Sequence, residues 1–193
     1  MRYSKQELKE LLLAWIAISL AFTIVLYQAK LSENIIESYL LLFLLSLITV
    51  GVGFLLHELG HKFLAQKYKL FAEFRAFKGM LLLTLLISFL GFVFAAPGAV
   101  FIHGNVDKKK NGKISLMGPA VNLVLAGIFL LISLFATGFF KDVGNFGVKI
   151  NSWLALFNMI PFWNFDGKKV WDWNKFVWFA VVIMGIVLLF VKI

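Results

Sequence analysis

The sequence predicts an all-α polytopic membrane protein of about five transmembrane helices, with one re-entrant or β-hairpin membrane-associated element, and three observations predict it. Of the 193 residues 61% are hydrophobic and only 15% charged, against roughly 25% charged in a soluble domain. The mean hydropathy is +0.90. Six stretches free of charged residues, 11–29, 38–56, 79–106, 114–140, 150–165 and 176–191, are comparable with the roughly 20 apolar residues that cross a bilayer. The net charge of +9 falls in short clusters between these runs, so it reads as membrane-flanking charge, with the lipid bilayer as partner and no nucleic acid. Cysteine is absent, which excludes disulfides, thiolate ligands and a cysteine nucleophile and leaves His, Asp and Glu to build any metal site.

The elements follow in order. Run 11–29 follows Arg2, Lys5 and Lys9; it is too long for a signal-peptide core and lacks a small-x-small cleavage site, which predicts a retained flanking helix. Run 38–56 continues without a breaker into His57–Tyr68, predicting one helix that carries the polar sequence HELGH to the membrane boundary. Run 79–106 lies between strand-like alternation at 70–77 and at 99–106, with Asn111-Gly112 as a hairpin signal beyond it. This predicts the sheet-like or re-entrant element. Runs 114–140 and 150–165 predict helices, the second broken by Pro161, and run 176–191 a flanking lipid-facing helix. With no repeat and no linker, the expectation is one membrane-embedded domain over 1–193, without an appended soluble domain and with a core over about 38–170.

Positive charge orients the chain. With the N-terminus inside and run 79–106 returning to the side it left, 15 of the 19 Lys and Arg lie inside, all but Lys30, Lys141, Lys149 and Lys192. A single crossing there reduces the split to 11 inside and 8 outside, so the positive-inside rule favours re-entry. The expected setting is the cell membrane, multi-pass, with the active site toward the cytosol.

The chemistry sits in His57, Glu58 and His61, the pattern His-Glu-x-x-His. Positions four apart share one helix face, so both imidazoles can reach one metal ion. Glu58, about 100° round the helix from His57, can reach a water beside that ion without being a ligand, as a general base would. Zinc suits imidazole and carboxylate ligands, and with three protein ligands leaves a fourth position open. Ionisable residues in an apolar helix are costly and point to function. For the third ligand the candidates are Asp166, after the Pro161 break, Asp172 in the polar Trp-rich connection, and His103 in the predicted hairpin.

These residues resemble the site-2 protease family of intramembrane zinc metalloproteases. HELGH at His57–His61 is shared with many zinc proteases. NMIPFWNFDG at Asn158–Gly167 matches that family's Asn-x-x-Pro-x-x-x-x-Asp-Gly, and GPAVN at Gly118–Asn122 resembles its Gly-Pro-x-x-Asn at the start of the intervening helix. The resemblance covers about residues 50 to 170 and departs from the pattern at Phe165, where Leu is usual, and in the length of run 79–106.

By position it implies that His57, His61 and Asp166 bind one Zn2+, that Glu58 is the general base, and that the substrate is a transmembrane protein cut within or next to its helix. Asn158 is either a substrate or oxyanion contact or a side chain bonded to local backbone. Asn122 is either a substrate contact or an interhelical hydrogen bond. Gly60 is expected to allow close helix packing, and Gly118 and Gly167 to punctuate helix ends. Bringing Asp166 to the histidines also requires an even number of crossings in run 79–106. Two competing classes are a metal or proton transporter, which predicts internal repeats and several intramembrane carboxylates, and an inactive helix-binding scaffold, which has no need of Glu58.

Overall fold

A computed structural model describes residues 1–30, 35–93 and 97–193, with 30 and 35–38 described by backbone alone. The side chain of Lys30 and the 94–96 part of the third apolar run lie outside what is described. The elements are α1 (Lys5–Lys30), α2 (Ile35–Ser46), a π-helical turn (Leu47–Gly51), α3 (Val52–Lys67), β1 (Phe71–Ala76), α4 (Lys78–Ser88), β2 (Gly98–His103), α5 (Lys108–Phe135), α6 (Gly138–Asn158), α7 (Asp166–Trp173) and α8 (Lys175–Leu189). They form two compact units, one of Arg2–Leu55 and Glu73–Phe101, the other of Met1, Leu56–Ala72 and Ile102–Ile193.

In the first unit α1 starts at a capping side chain: Ser4 Oγ accepts from Glu7 N–H at 3.0 Å, satisfying one of the helix's open donors. α1 packs on α2, the π turn and α4. Gly51 makes the closest approach, since a Cβ there falls 2.5 Å from Ser19 Oγ and 2.6 Å from the Trp15 ring. The Trp15 indole N–H donates to Leu47 O at 3.1 Å.

The strand-like segments do form strands, and β1 and β2 pair in one two-stranded sheet. Phe77 meets Pro97 at one end and Phe71 meets His103 at the other, so the strands run antiparallel. The bond Phe77 N–H to Pro97 O, 3.0 Å, means that the segment carrying α4 ends where it began. α4 has 11 residues, about 16 Å at 1.5 Å per residue, half of a hydrocarbon core about 30 Å thick. Among the described residues, this segment therefore holds no helix long enough to cross a membrane. The outer edge of β1 is closed by side chains of α1: Glu7 accepts from Phe74 N–H and Glu10 from Ala76 N–H, each at 2.9 Å.

In the second unit α5 packs on α6, α7 and α8, and α8 also on α6 and α7. Two expectations are corrected here. Asn111-Gly112 is no hairpin turn, because α5 already begins at Lys108, capped by Asp107 accepting from Lys110 N–H at 2.7 Å. Gly112 instead lies under Trp173, whose Cγ is 2.7 Å from where a Cβ would be. A good cap and a packed helix outweigh the local turn preference of an Asn-Gly pair. For the same reason GPAVN lies well inside α5 rather than at its start, with Pro119 in the helix.

Three helices among the described residues are long and apolar enough to cross a membrane, Lys5–Ala29, Tyr39–Lys67 and Lys108–Phe135; Lys175–Leu189 is apolar but shorter. Many of their large apolar side chains are exposed, Leu12, Leu131, Leu134 and Phe135 among them, as lipid-facing residues are.

Candidate metal centre

The site lies wholly within the second unit. α3 carries His57, Glu58 and His61 one turn apart, all buried. Their partner comes from the far end of the chain. α6 stops at Asn158, three residues before the Pro161 break, and Asp166 opens α7. Gly167 is needed beside it because the first turn of α7 presses on the end of α6: a Cβ at Gly167 would lie 2.6 Å from Met159 Cα and closer still to its carbonyl. The Trp178 indole N–H, from α8, donates to Met159 O at 2.7 Å and holds the same corner.

The result is a convergent set. Asp166 Oδ2 is 3.4 Å from His57 Nε2 and 3.0 Å from His61 Nε2, and the three ligand atoms all lie within 4.8 Å of one another. Asp166 faces both imidazoles with the one oxygen Oδ2. Its other oxygen lies 3.9 Å from Lys169 Nζ.

Both imidazoles reach this set through Nε2 because Nδ1 is engaged elsewhere. His61 Nδ1 lies 2.8 Å from Ile114 O, and His57 Nδ1 lies 2.6 Å from Asn122 Oδ1. A carbonyl oxygen only accepts, so Nδ1 donates in both and the Nε2 lone pair is left for a ligand bond. Such outer partners orient metal-binding histidines and fix their tautomer.

The GPAVN motif can now be read residue by residue. Gly118 faces the two imidazoles, where any Cβ would overlap both Nε2 atoms and lie 2.6 Å from His57 Cε1. It does not punctuate a helix end, and the lack of a side chain there leaves the space between those nitrogens open. Pro119 has no N–H to donate one turn back to Ser115, and the preceding residue of α5, Ile114, gives its carbonyl to His61 Nδ1. Asn122 is fully buried and bonds His57 across helices, the second of the two arrangements considered for it. Gly60 behaves as expected, with Met117 O and Val121 Cγ2 of α5 3.2 Å from a Cβ built on it.

Asn158 donates from Nδ2 to Leu154 O at 2.9 Å, one turn back in its own helix. The two other ligand candidates lie outside the set. His103 is exposed at the end of β2 against Phe71, with ring centroids 5.8 Å apart, and Asp172 pairs with Lys168 on the surface of α7. Sequence reasoning missed the contribution of Gly118, of the Ile114 carbonyl and of Asn151, whose Oδ1 accepts from Asn122 Nδ2 at 3.1 Å. A polar residue in an apolar run was the available signal for Asn151.

No family model matches the chain, and no solved structure matches it. Among curated proteins it is 40% identical over 184 residues to the Methanocaldococcus jannaschii protein named "Putative zinc metalloprotease MJ0611", covering 93% of this chain and 91% of that one. It is 31% identical over 147 residues to the Bacillus subtilis protein named "Putative zinc metalloprotease YwhC", covering 64% of this chain and 65% of that one. A second M. jannaschii protein, "Zinc metalloprotease MJ0392", is 25% identical over 80% of this chain and 41% of its own length. By that identity over nearly its whole length, the chain belongs to the family of the first of these proteins, a family whose members carry the name zinc metalloprotease.

Proposed function

We propose that this chain is an intramembrane zinc metalloendopeptidase of the site-2 protease family, hydrolysing peptide bonds within or next to transmembrane helices of other membrane proteins. One observation carries the reading: two imidazole Nε2 atoms and a carboxylate oxygen converge beside Glu58 on a helix apolar and long enough to cross a membrane. The donor set fits Zn2+. Bonds of about 2.0–2.1 Å in a tetrahedron separate neighbouring ligands by about 3.3 Å, close to the 3.4 and 3.0 Å found between Asp166 and the histidines. His57, His61 and Asp166 would hold one zinc per chain. Bound there, zinc supplies Lewis acidity that makes water nucleophilic near neutral pH and polarises a carbonyl.

The chain's own residues do the rest. Glu58, between the two histidines in sequence and 9% exposed, takes a proton from the attacking water as the new C–O bond forms and then returns it to the leaving amine as the peptide C–N bond breaks. Asn158 stands in the α6 turn before Asp166, and a substrate contact by its remaining carbonyl oxygen is part of the proposal. His57 lies about 27 Å along the helix from Tyr39, near the far boundary of a hydrocarbon core about 30 Å thick. With α1, the α2–α3 rod, α5, α6 and α8 as five crossings, that boundary is the cytosolic one by the distribution of Lys and Arg, and water enters from that face.

A substrate helix must unwind before its carbonyls are open to attack, and an unwound segment can add as a strand to a sheet edge. Because Glu7 and Glu10 occupy the outer edge of β1, the edge offered is that of β2. Proline substitutions along 99–103 that left cleavage unchanged would remove this part of the proposal.

The test is cleavage of single-span substrates by zinc-loaded protein in detergent, with the cut sites mapped by mass spectrometry. Wild type should cut within or beside the spanning helix, and Glu58→Gln should retain zinc while cutting about 10²–10⁴-fold more slowly. Equal rates would overturn the mechanism.

A further inference from the structure

We propose that Asn151 is a positioning residue for the metal centre, acting through Asn122 on His57. It sits on α6, fully buried, and belongs to none of the motifs that mark the site. Asn151 Nδ2 donates to Gly147 O at 3.0 Å, Asn151 Oδ1 accepts from Asn122 Nδ2 at 3.1 Å, and Asn122 Oδ1 faces His57 Nδ1 at 2.6 Å. α6 reaches α5 closely enough for this because Gly147 lies against Phe129, where a Cβ would fall 2.5 Å from Cδ1.

The direction of the chain is set at its far end. An amide side chain can present either its oxygen or its nitrogen to a neighbour, and rotation by half a turn exchanges them. Gly147 O can only accept, so Asn151 must give it Nδ2 and turn Oδ1 toward Asn122. Asn122 must then offer Nδ2 to Asn151 and Oδ1 to His57. Facing an acceptor, His57 carries its hydrogen on Nδ1 and leaves Nε2 open toward Asp166 and His61. His61 obtains the same tautomer in one step from Ile114 O; His57 obtains it in three, and Asn151 is the link that reads the backbone. Loss of Asn151 removes the acceptor that turns Asn122 Nδ2 away from His57 and weakens the hold on that orientation; the reversed amide would present Nδ2 to Nδ1. The hydrogen then moves to Nε2 and blocks the ligand atom.

The inference rests on the zinc reading above. It is tested by chelator competition for zinc on full-length protein purified in detergent, comparing wild type with Asn151→Asp and Asn151→Leu, alongside thermal unfolding of each. Asp keeps an acceptor toward Asn122 but buries a charge, whereas Leu fills the space without a polar atom.

A residue that only packs predicts that the leucine variant binds zinc at least as well as the aspartate variant. The positioning role predicts the opposite order: Asn151→Leu loses about 10–100-fold in zinc affinity, the range for outer partners of metal ligands, and Asn151→Asp retains most of it even where it unfolds at lower temperature. Wild-type affinity in Asn151→Leu, or equal losses in the two variants, would overturn the proposal while leaving the metal centre intact. Wild type that binds no zinc would overturn both.

Discussion

Among the described residues, acidic side chains are buried at two places, at the metal centre and at the edge of β1, and the two differ in where their hydrogen bonds go. Glu7 is fully buried and Glu10 nearly so, yet each has a backbone N–H in front of it, Phe74 and Ala76. They complete a strand edge that would otherwise be open. At the metal centre the outward bonds serve the opposite end. Both imidazoles are anchored through Nδ1, and their Nε2 atoms are turned with Asp166 toward one point beside Gly118. Burial of an ionisable group therefore does not by itself separate structure from chemistry in a membrane chain. What separates them is whether the polar atoms are closed by the protein or left converging.

Three substitutions sharpen that contrast, from the largest effect to the smallest. Gly118→Ala puts a methyl group between the two Nε2 atoms, and zinc binding and cleavage should both fall to background in a protein that still folds, measured by metal content and cleavage on the same preparation. Glu7→Ala leaves Phe74 N–H without its buried acceptor, which costs about 1–3 kcal/mol; thermal unfolding should show that loss while zinc content stays at the wild-type level. Gly127→Ala lies in the same helix as Gly118, but nothing is within 4 Å of its added Cβ. It should leave zinc and cleavage unchanged and raise stability by up to about 1 kcal/mol through helix propensity, which separates the steric effect at Gly118 from a general effect of alanine in α5.

Legibility in the sequence followed the range of the interactions. The α3 helix with its His-Glu-x-x-His and both strands were readable, because apolar runs and alternation depend on pattern alone. Asp166 was readable only among alternatives, until the Asn-x-x-Pro-x-x-x-x-Asp-Gly resemblance singled it out. Its neighbour Gly167 became intelligible once the backbone of Met159 was seen against it.

The start of α5 was misread because Asn111-Gly112 is a strong local turn signal that a cap at Asp107 and packing on Trp173 override. Gly118 was taken for punctuation because a glycine's reason for being there lies in what approaches it, here two side chains from another helix. The role of Asn151 and the acid clamp on β1 could not be read for a similar reason. Their partners lie tens of residues away, at Asn122 and at Phe74 and Ala76, and no spacing rule connects them.

The central claim is that these three side chains form one zinc site. Elemental analysis of purified wild type and Asp166→Ala, each exposed to zinc and freed of excess, tests it most directly. The account predicts one zinc per wild-type chain and essentially none in Asp166→Ala, with both proteins equally folded. A full complement of zinc in Asp166→Ala, or none in wild type, would contradict it.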